Sequence, residues 1–221
     1  IWGDCCKMNS AVIVAGGSGD RFGTETPKQF VKINGQEILS FSVTKFLKHP
    51  QIDEVIIVSH PDWINHVVSQ YPDCHAVEGG NHRQVSSLNG VTATSAESNN
   101  VLIHDAARPF VSEQIISDCL SALENYDGSA PIIPATESLV KWDGKKAHFV
   151  KRSDIQIVQT PQCFKKQIIL DVLKTDISGT DEIGMLLRQF PKSKVKFIEG
   201  SVDNIKITTQ NDLNYFSKQI I

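Results

Sequence analysis

Four short runs of β-branched and apolar residues, "AVIVA" (11–15), "EVIIVS" (54–59), "VLIHD" (101–105) and "APIIPA" (130–135), recur between longer segments of helical spacing. They do not alternate between apolar and polar positions, so each must be buried on both faces, and they are too short to stand as helices. Strands of that kind belong to a sheet covered by helices on both sides. Helical spacing falls near 40–48, 61–70, 83–96, 112–125, 165–174 and 181–189, followed by a strand at 194–200 and a last helix opened by "TTQNDL" (208–213). The pattern predicts an α/β fold: a single Rossmann-like domain over residues 8–221 with a mostly parallel, helix-covered sheet. The periodic sequence begins at Ala11, just after Met8, and residues 1–7 read as an appended tag or an upstream extension.

One segment interrupts the rhythm. "SLVKWDGKKAHFVKR" (138–152) has β-type runs on either side of "WDGKK", and Asp143-Gly144 is a strong hairpin-turn signal. An inserted hairpin has open edges that a second subunit can cover. The segment is expected as a surface hairpin or, in the reading adopted, as the dimerisation arm of a homodimer.

Charge and composition exclude several classes. A formal charge of -3 gives no general footprint for nucleic acid or an anionic membrane, so any basic site has to be local. No stretch approaches the roughly 18 consecutive apolar residues of a membrane span, and "IWGDCCKMNS" lacks the apolar middle of a signal peptide. The five cysteines are odd in number, irregularly spaced and without a CxxC or His ligand pattern, which excludes a disulfide framework or structural zinc and points to a reducing cytoplasm.

The first strand ends in "AGGSGDRFGTETPKQF" (15–30). Gly16, Gly17 and Gly19 bring bare amides together as a loop that can approach a phosphate; a tight turn whose glycines only serve packing is the other reading. No GK[ST] occurs, so this is not a Walker loop, and Phe22 stands where GxGxxG requires glycine, which weakens a dinucleotide-dependent oxidoreductase. Arg21 and Lys28, the latter just after the fixed-φ Pro27, place a planar fork and a mobile point charge close in sequence to the amides. "VLIHDAARPF" (101–110) delivers His104, Asp105 and Arg108 at the carboxyl end of a strand, where open α/β sheets bind ligands. A carboxylate there suits Mg²⁺, which shares its oxygen ligands with substrate phosphates.

The segment 15–30 resembles the signature of nucleotidyltransferases that make nucleoside-diphosphate sugars and alcohols. From Ala11 to the last helix the chain resembles the 2-C-methyl-D-erythritol 4-phosphate cytidylyltransferases of the non-mevalonate isoprenoid pathway. The resemblance implies a Mg²⁺-dependent transfer of CMP from CTP to the polyol phosphate, with release of pyrophosphate. It implies that Ala15, Gly16, Gly17 and Gly19 wrap the nucleotide, and that Gly80 and Ser86 of "EGGNHRQVSSLNG" (78–90) contact cytosine and ribose. Arg21, Lys28 and Lys206 are then the catalytic cations, and Asp105 and Asp203 the metal carboxylates. Asp105, Arg108, Ser138, Arg152 and Thr160 are assigned to the polyol phosphate, Arg152 reaching across the dimer.

The family pattern Thr-Asp-Thr-Ile-Lys appears as "TESLV" (136–140), and Val140 in place of lysine is also familiar from ribitol 5-phosphate cytidylyltransferases. D-ribitol 5-phosphate is therefore the alternative acceptor, and a non-catalytic nucleotide-binding module the alternative of another class. "TDE" (180–182) matches a short family element and equally spells a capped helix start with acids on its dipole. "IKITT" (205–209) reads as a short β-prone run before the last helix.

Overall fold

Alternate residues of the buried runs feed two separate cores, one on each side of a sheet. The computed structural model describes residues 7–17, 26–175, 179 and 181–220. The chain runs β1 (Met8–Ala15), β2 (Lys32–Ile33), β3 (Gln36–Glu37), α1 (Ile38–Leu47), β4 (Glu54–Ser59), α2 (Ile64–Gln70), β5 (His75–Glu78), α3 (Arg83–Thr92) and β6 (Ser98–Asp105). It continues through α4 (Glu113–Ala122), β7 (Gly128–Pro134), β8 (Leu139–Trp142), β9 (Ala147–Val150), β10 (Gln156–Val158), β11 (Gln162–Lys165), α5 (Lys166–Leu173), α6 (Glu182–Gln189), β12 (Val195–Glu199) and α7 (Gln210–Gln219). No helix among the described residues is long and apolar enough to cross a membrane.

The main sheet has eight strands in the order β10-β7-β11-β6-β1-β4-β5, with β12 on β7. β1 pairs in parallel with β4 and β6, and β4 with β5. From β1, residues Ala11, Ile13 and Ala15 pack with α1, α2 and α4 on one face, while Val12 packs with α3, α5 and α6 on the other. Leu39, Val43 and Phe46 give α1 its apolar stripe at helical spacing, all three buried. Full burial of Phe46 alone is worth about 1.5–3 kcal/mol.

Two strands depart from the parallel pattern. β11 lies between β6 and β7 and is antiparallel to both, and β10 continues beside β7 in the same antiparallel sense. Between the pairs Val158–Ile132 and Cys163–Ser129 the β10–β11 side spans five residues against three on β7, so two extra residues are accommodated there, the Gln159 amide still donating to the Pro131 carbonyl of β7. The Thr160–Pro161 peptide is cis.

Short elements were the ones the apolar pattern missed. β5, β10 and β11 are three or four residues long, and β2 and β3 form a two-residue ribbon closed by Asn34 and Gly35, both at positive φ. The β-prone run 205–209 is not a strand. Its Ile207 is fully buried against Ile38, Leu213 and Phe216, and its backbone N–H donates to the Ala107 carbonyl, so packing under α7 replaces the ladder. The predicted hairpin is present as β8–β9, its turn closed by Asp143 Oδ1, which accepts from the Lys145 and Lys146 amides.

Candidate active site

Register alone gathers the loops. Ala15 pairs with Ser59, Ser59 with Glu78, and Val14 with Asp105, so four parallel strands end side by side and open a cleft of about 590 Å³ at their carboxyl ends. Gly16 and Gly17 form one wall. The buried Gln29 amide donates to the Ala15 and Gly17 carbonyls, fastening that wall to the 3-10 turn Lys28–Phe30. Phe30 stacks on Trp63 with centroids 4.4 Å apart, and the turn is thereby anchored on both sides. Lys28 is left on the cleft, its Nζ donating to the Ile207 carbonyl at 2.8 Å.

The opposite wall is the turn after β5. The Gly80 amide donates to Ser86 Oγ at 3.1 Å, so the serine at the start of α3 holds the glycine backbone in place. A Cβ on Gly80 would lie 2.2 Å from Val85 Cγ1, which only glycine avoids.

Charge concentrates at the floor. Asp105, nearly buried, meets Lys206 Nζ at 2.8 Å, Arg83 Nη1 in a short contact and Arg108 Nε at 3.7 Å. Burial pushes its carboxyl up, but Arg83, Lys206 and Arg108 outweigh burial and hold it well below the usual carboxylate range. Arg83 also bridges to the buried Glu182 through Nε and Nη2, at 3.1 and 3.2 Å, and Ser87 Oγ donates to the same carboxylate. Burial opposes the Arg83 charge; Asp105 and Glu182 together raise its pKa above the ordinary arginine value.

Beneath the floor runs a second chain of bonds. The Asp105 amide donates to Thr160 Oγ1, which pairs with His104 Nδ1 at 3.1 Å, while His104 Nε2 faces the Arg108 carbonyl at 3.1 Å. A carbonyl only accepts, so Nε2 carries the ring proton and Nδ1 accepts from Thr160. Burial pushes the His104 imidazole down to about 4. Between pH 4 and 6.5 the unfolded chain binds a proton there that the folded protein refuses. Stability is therefore expected to fall by about 3 kcal/mol from pH 7 to pH 4 through this residue alone. In His104→Gln, which offers the same acceptor and donor, urea unfolding should show that part of the slope gone; equal slopes in both proteins would contradict it.

A family model described as 2-C-methyl-D-erythritol 4-phosphate cytidylyltransferase matches residues 9–219. The chain belongs to this family. The namesake enzyme of Clostridium acetobutylicum is 38% identical over 93% of this chain and 94% of its own length, and that of Clostridium botulinum (strain Langeland) is 39% identical over 94% and 95%. A bifunctional ribulose 5-phosphate reductase/CDP-ribitol pyrophosphorylase of Haemophilus influenzae is 34% identical over 94% of this chain and 47% of that protein. The crystal structure of the 4-diphosphocytidyl-2C-methyl-D-erythritol synthase of Anaerococcus prevotii superposes with a TM-score of 0.84 at 27% identity, covering 97% of this chain and 96% of the other.

Within this cytidylyltransferase, Ala15, Gly16, Gly17, Lys28, Gly80, Ser86, Asp105 and Lys206 line one cleft. Gly19, Arg21 and Thr180 lie outside the described residues. Thr160 and Arg108 sit beside Asp105 rather than on the cleft wall: Arg108 Nη1 donates to the Asn204 carbonyl, and its buried Nε makes no hydrogen bond among the described residues. Ser138 and Arg152 are exposed near the base of the hairpin, Arg152 Nη1 donating to the Thr136 carbonyl, and neither lines the cleft of its own chain. Asp203 is exposed, with its amide on Ser201 Oγ, and is also outside the lining.

Arg83, Gln29 and Glu182 were not legible as site residues. Asp181 does cap α6, its carboxylate accepting from the Gly184 amide, but the adjacent Glu182 is a buried partner of Arg83 rather than a solvated first-turn acid. The signal available was an arginine three residues after the second glycine of a turn at a strand end, opening a helix. The described residues contain no group of three or more potential metal-binding side chains. Asp105 alone fits the arrangement in which Mg²⁺ takes one carboxylate and fills its shell with phosphate oxygens and water.

Proposed function

We propose that the enzyme transfers CMP from CTP to the phosphate of 2-C-methyl-D-erythritol 4-phosphate, giving CDP-methylerythritol and pyrophosphate. The observation that carries this reading is the convergence of Lys28, Lys206 and Asp105 between the glycine wall and the Gly80–Ser86 turn, in a chain of this family. An oxygen of the acceptor phosphate attacks the α-phosphorus in line; the new P–O bond forms as the bond to the β-phosphate breaks, and its electron pair leaves with pyrophosphate. Such a transfer asks the protein for positioning and charge neutralisation, without a covalent nucleophile.

The amides of Ala15, Gly16, Gly17 and Gly19 cradle the triphosphate, with Lys28, Lys206 and Arg21 meeting its charge. Gly80 and Ser86 face the cytosine and ribose. Bound Mg²⁺ supplies further neutralisation of the phosphates, with Asp105 as its protein ligand and Asp203 in support. Arg108, Ser138 and Arg152 hold the acceptor phosphate, while Thr160, its hydroxyl already spent on His104 and the Asp105 amide, supports Asp105 from beneath rather than touching that phosphate.

The exposure of Arg152 on its own chain suits service to the cleft of a second copy in a cytoplasmic homodimer. Val140, Trp142, Ala147 and Phe149 share one face of the β8–β9 hairpin by register, and Trp142 and Phe149 are 60% and 84% exposed. A second copy covering that face explains two exposed aromatic rings at once. Light scattering should then give a mass twice the 24.4 kDa of the chain, whereas the single-chain mass at micromolar concentration would exclude the dimer.

Pyrophosphate release from CTP, measured with the methylerythritol phosphate and with D-ribitol 5-phosphate, each with Mg²⁺ and with EDTA, tests the reaction. Turnover is expected with the first acceptor and Mg²⁺ only. Turnover confined to the ribitol phosphate would move the assignment to that substrate, and none with either would leave a nucleotide-binding module.

A further inference from the structure

Arg83 and Glu182 are the first residues of α3 and α6, 99 positions apart in sequence, and they meet at the cleft floor. Three further contacts build the meeting point. Ser87, one turn along α3, donates to Glu182 Oε1 at 2.7 Å; the Ile183 amide donates to Gln162 Oε1 at 2.8 Å; and Asp181 caps the same helix start. Glu182 is 1% exposed and Gln162 2%, so the foundation of the bridge is inside the protein. The guanidinium spends Nε and Nη2 on Glu182 and directs Nη1 to Asp105 Oδ1.

The three cations around Asp105 are not equivalent. Lys206 is a single mobile ammonium with a 39% exposed side chain, free to turn toward a substrate phosphate. Arg108 stands 3.7 Å away and donates its Nη1 elsewhere. Arg83 is the one held rigidly from behind by a second carboxylate, in the planar two-sided geometry that lysine cannot supply.

We infer that Arg83, pinned by Glu182, is a positioning residue that keeps the Asp105 carboxylate in its working orientation when Lys206 leaves it for substrate. This rests on the proposed cytidylyl transfer, in which Asp105 serves the metal and the acceptor. Arg83 lines the cleft, but its three guanidinium nitrogens are committed to Glu182 and Asp105, so it acts through Asp105.

Removing Arg83 alone would leave the buried Glu182 without its cation, while Asp105 would keep Lys206 and Arg108, so the test uses the charge-balanced pair Arg83→Gln with Glu182→Gln, together with Asp105→Asn and the triple variant. In the pyrophosphate assay the paired variant is expected to lose about 30-fold in kcat and to raise KM for the acceptor about fivefold, with KM for CTP within twofold of wild type. A smaller folded fraction cannot raise KM for one substrate only. In the Asp105→Asn background the pair should change neither constant. Wild-type kinetics in the paired variant, a rise confined to KM for CTP, or losses that multiply with Asp105→Asn would each overturn the inference.

Thermal melts of the same four proteins without substrate provide an independent arm. Coupled midpoint shifts are expected, and additive shifts would refute the bridge even if no acceptor were turned over, so failure of the reaction and failure of the inference remain distinct. Should the paired variant not fold, Ser87→Ala loosens the same carboxylate: about a threefold loss in kcat with the same KM pattern supports the inference, and unchanged kinetics overturns it.

Discussion

Lys28→Ala is expected to lower kcat by about 10²- to 10³-fold while leaving the fold intact. The magnitude is that of removing one preorganised donor aimed at developing charge. Three neighbours hold the lysine ready for that role. Pro27 sets the entry to its turn at φ -56°, Gln29 ties the turn to the glycine wall, and the Phe30–Trp63 stack fixes it from behind. None of these anchors involves the ammonium itself. Its bond to the Ile207 carbonyl is a charge-assisted contact at the edge of the cleft, so the midpoint of thermal unfolding should drop by about 3–6 °C. Steady-state kinetics beside a melt would decide it. Near-normal pyrophosphate release would remove Lys28 from the machinery, and a large melting shift would make it structural.

Asp105→Asn is expected to cost both activity and stability. The carboxylate is the shared partner of Arg83, Lys206 and Arg108. Its loss leaves cations facing one another at the floor, and Lys206 alone among them has the exposure to relax into solvent. Breaking a buried pair by removing one partner costs about 3–5 kcal/mol. Taking the lower figure, the melting midpoint should fall by about 6–12 °C in a chain of this size. Turnover should fall at least about 100-fold if, as proposed above, this carboxylate serves Mg²⁺ and the acceptor. An asparagine variant that melts and turns over like wild type would show that the three cations are compensated elsewhere.

The sequence showed most plainly what depends on local pattern. β4 occupies the residues of "EVIIVS" because a strand buried on both faces has to be apolar throughout, and α7 starts where its Thr209–Asp212 capping box stands. β11 was hidden because its four residues, "QCFK", are polar at both ends and take their place from β6 and β7 rather than from their own pattern. The glycine wall, Lys28 and Asp105 were legible because loop chemistry at a strand end is local. The Arg83–Glu182 bridge was not, since an acid in the first turn of a helix reads equally as a partner of the helix dipole. Ser138, Arg152 and Asp203 rested on resemblance, and in a single chain they stand apart from the cleft that their roles concern.

The carbonyl that steadies Lys28 belongs to Ile207, 179 residues later and beyond the last strand of the sheet. During synthesis β1, β4, β5 and β6, with the glycine loop, are made while both Lys206 and that carbonyl are still to come, as are α4, α5 and α6, which complete the two cores. The cleft thus gains its second lysine and the brace of its first from one stretch of chain, at the close of folding. An incompletely made chain carries the first lysine of the cleft before it has either the second or the brace that holds the first.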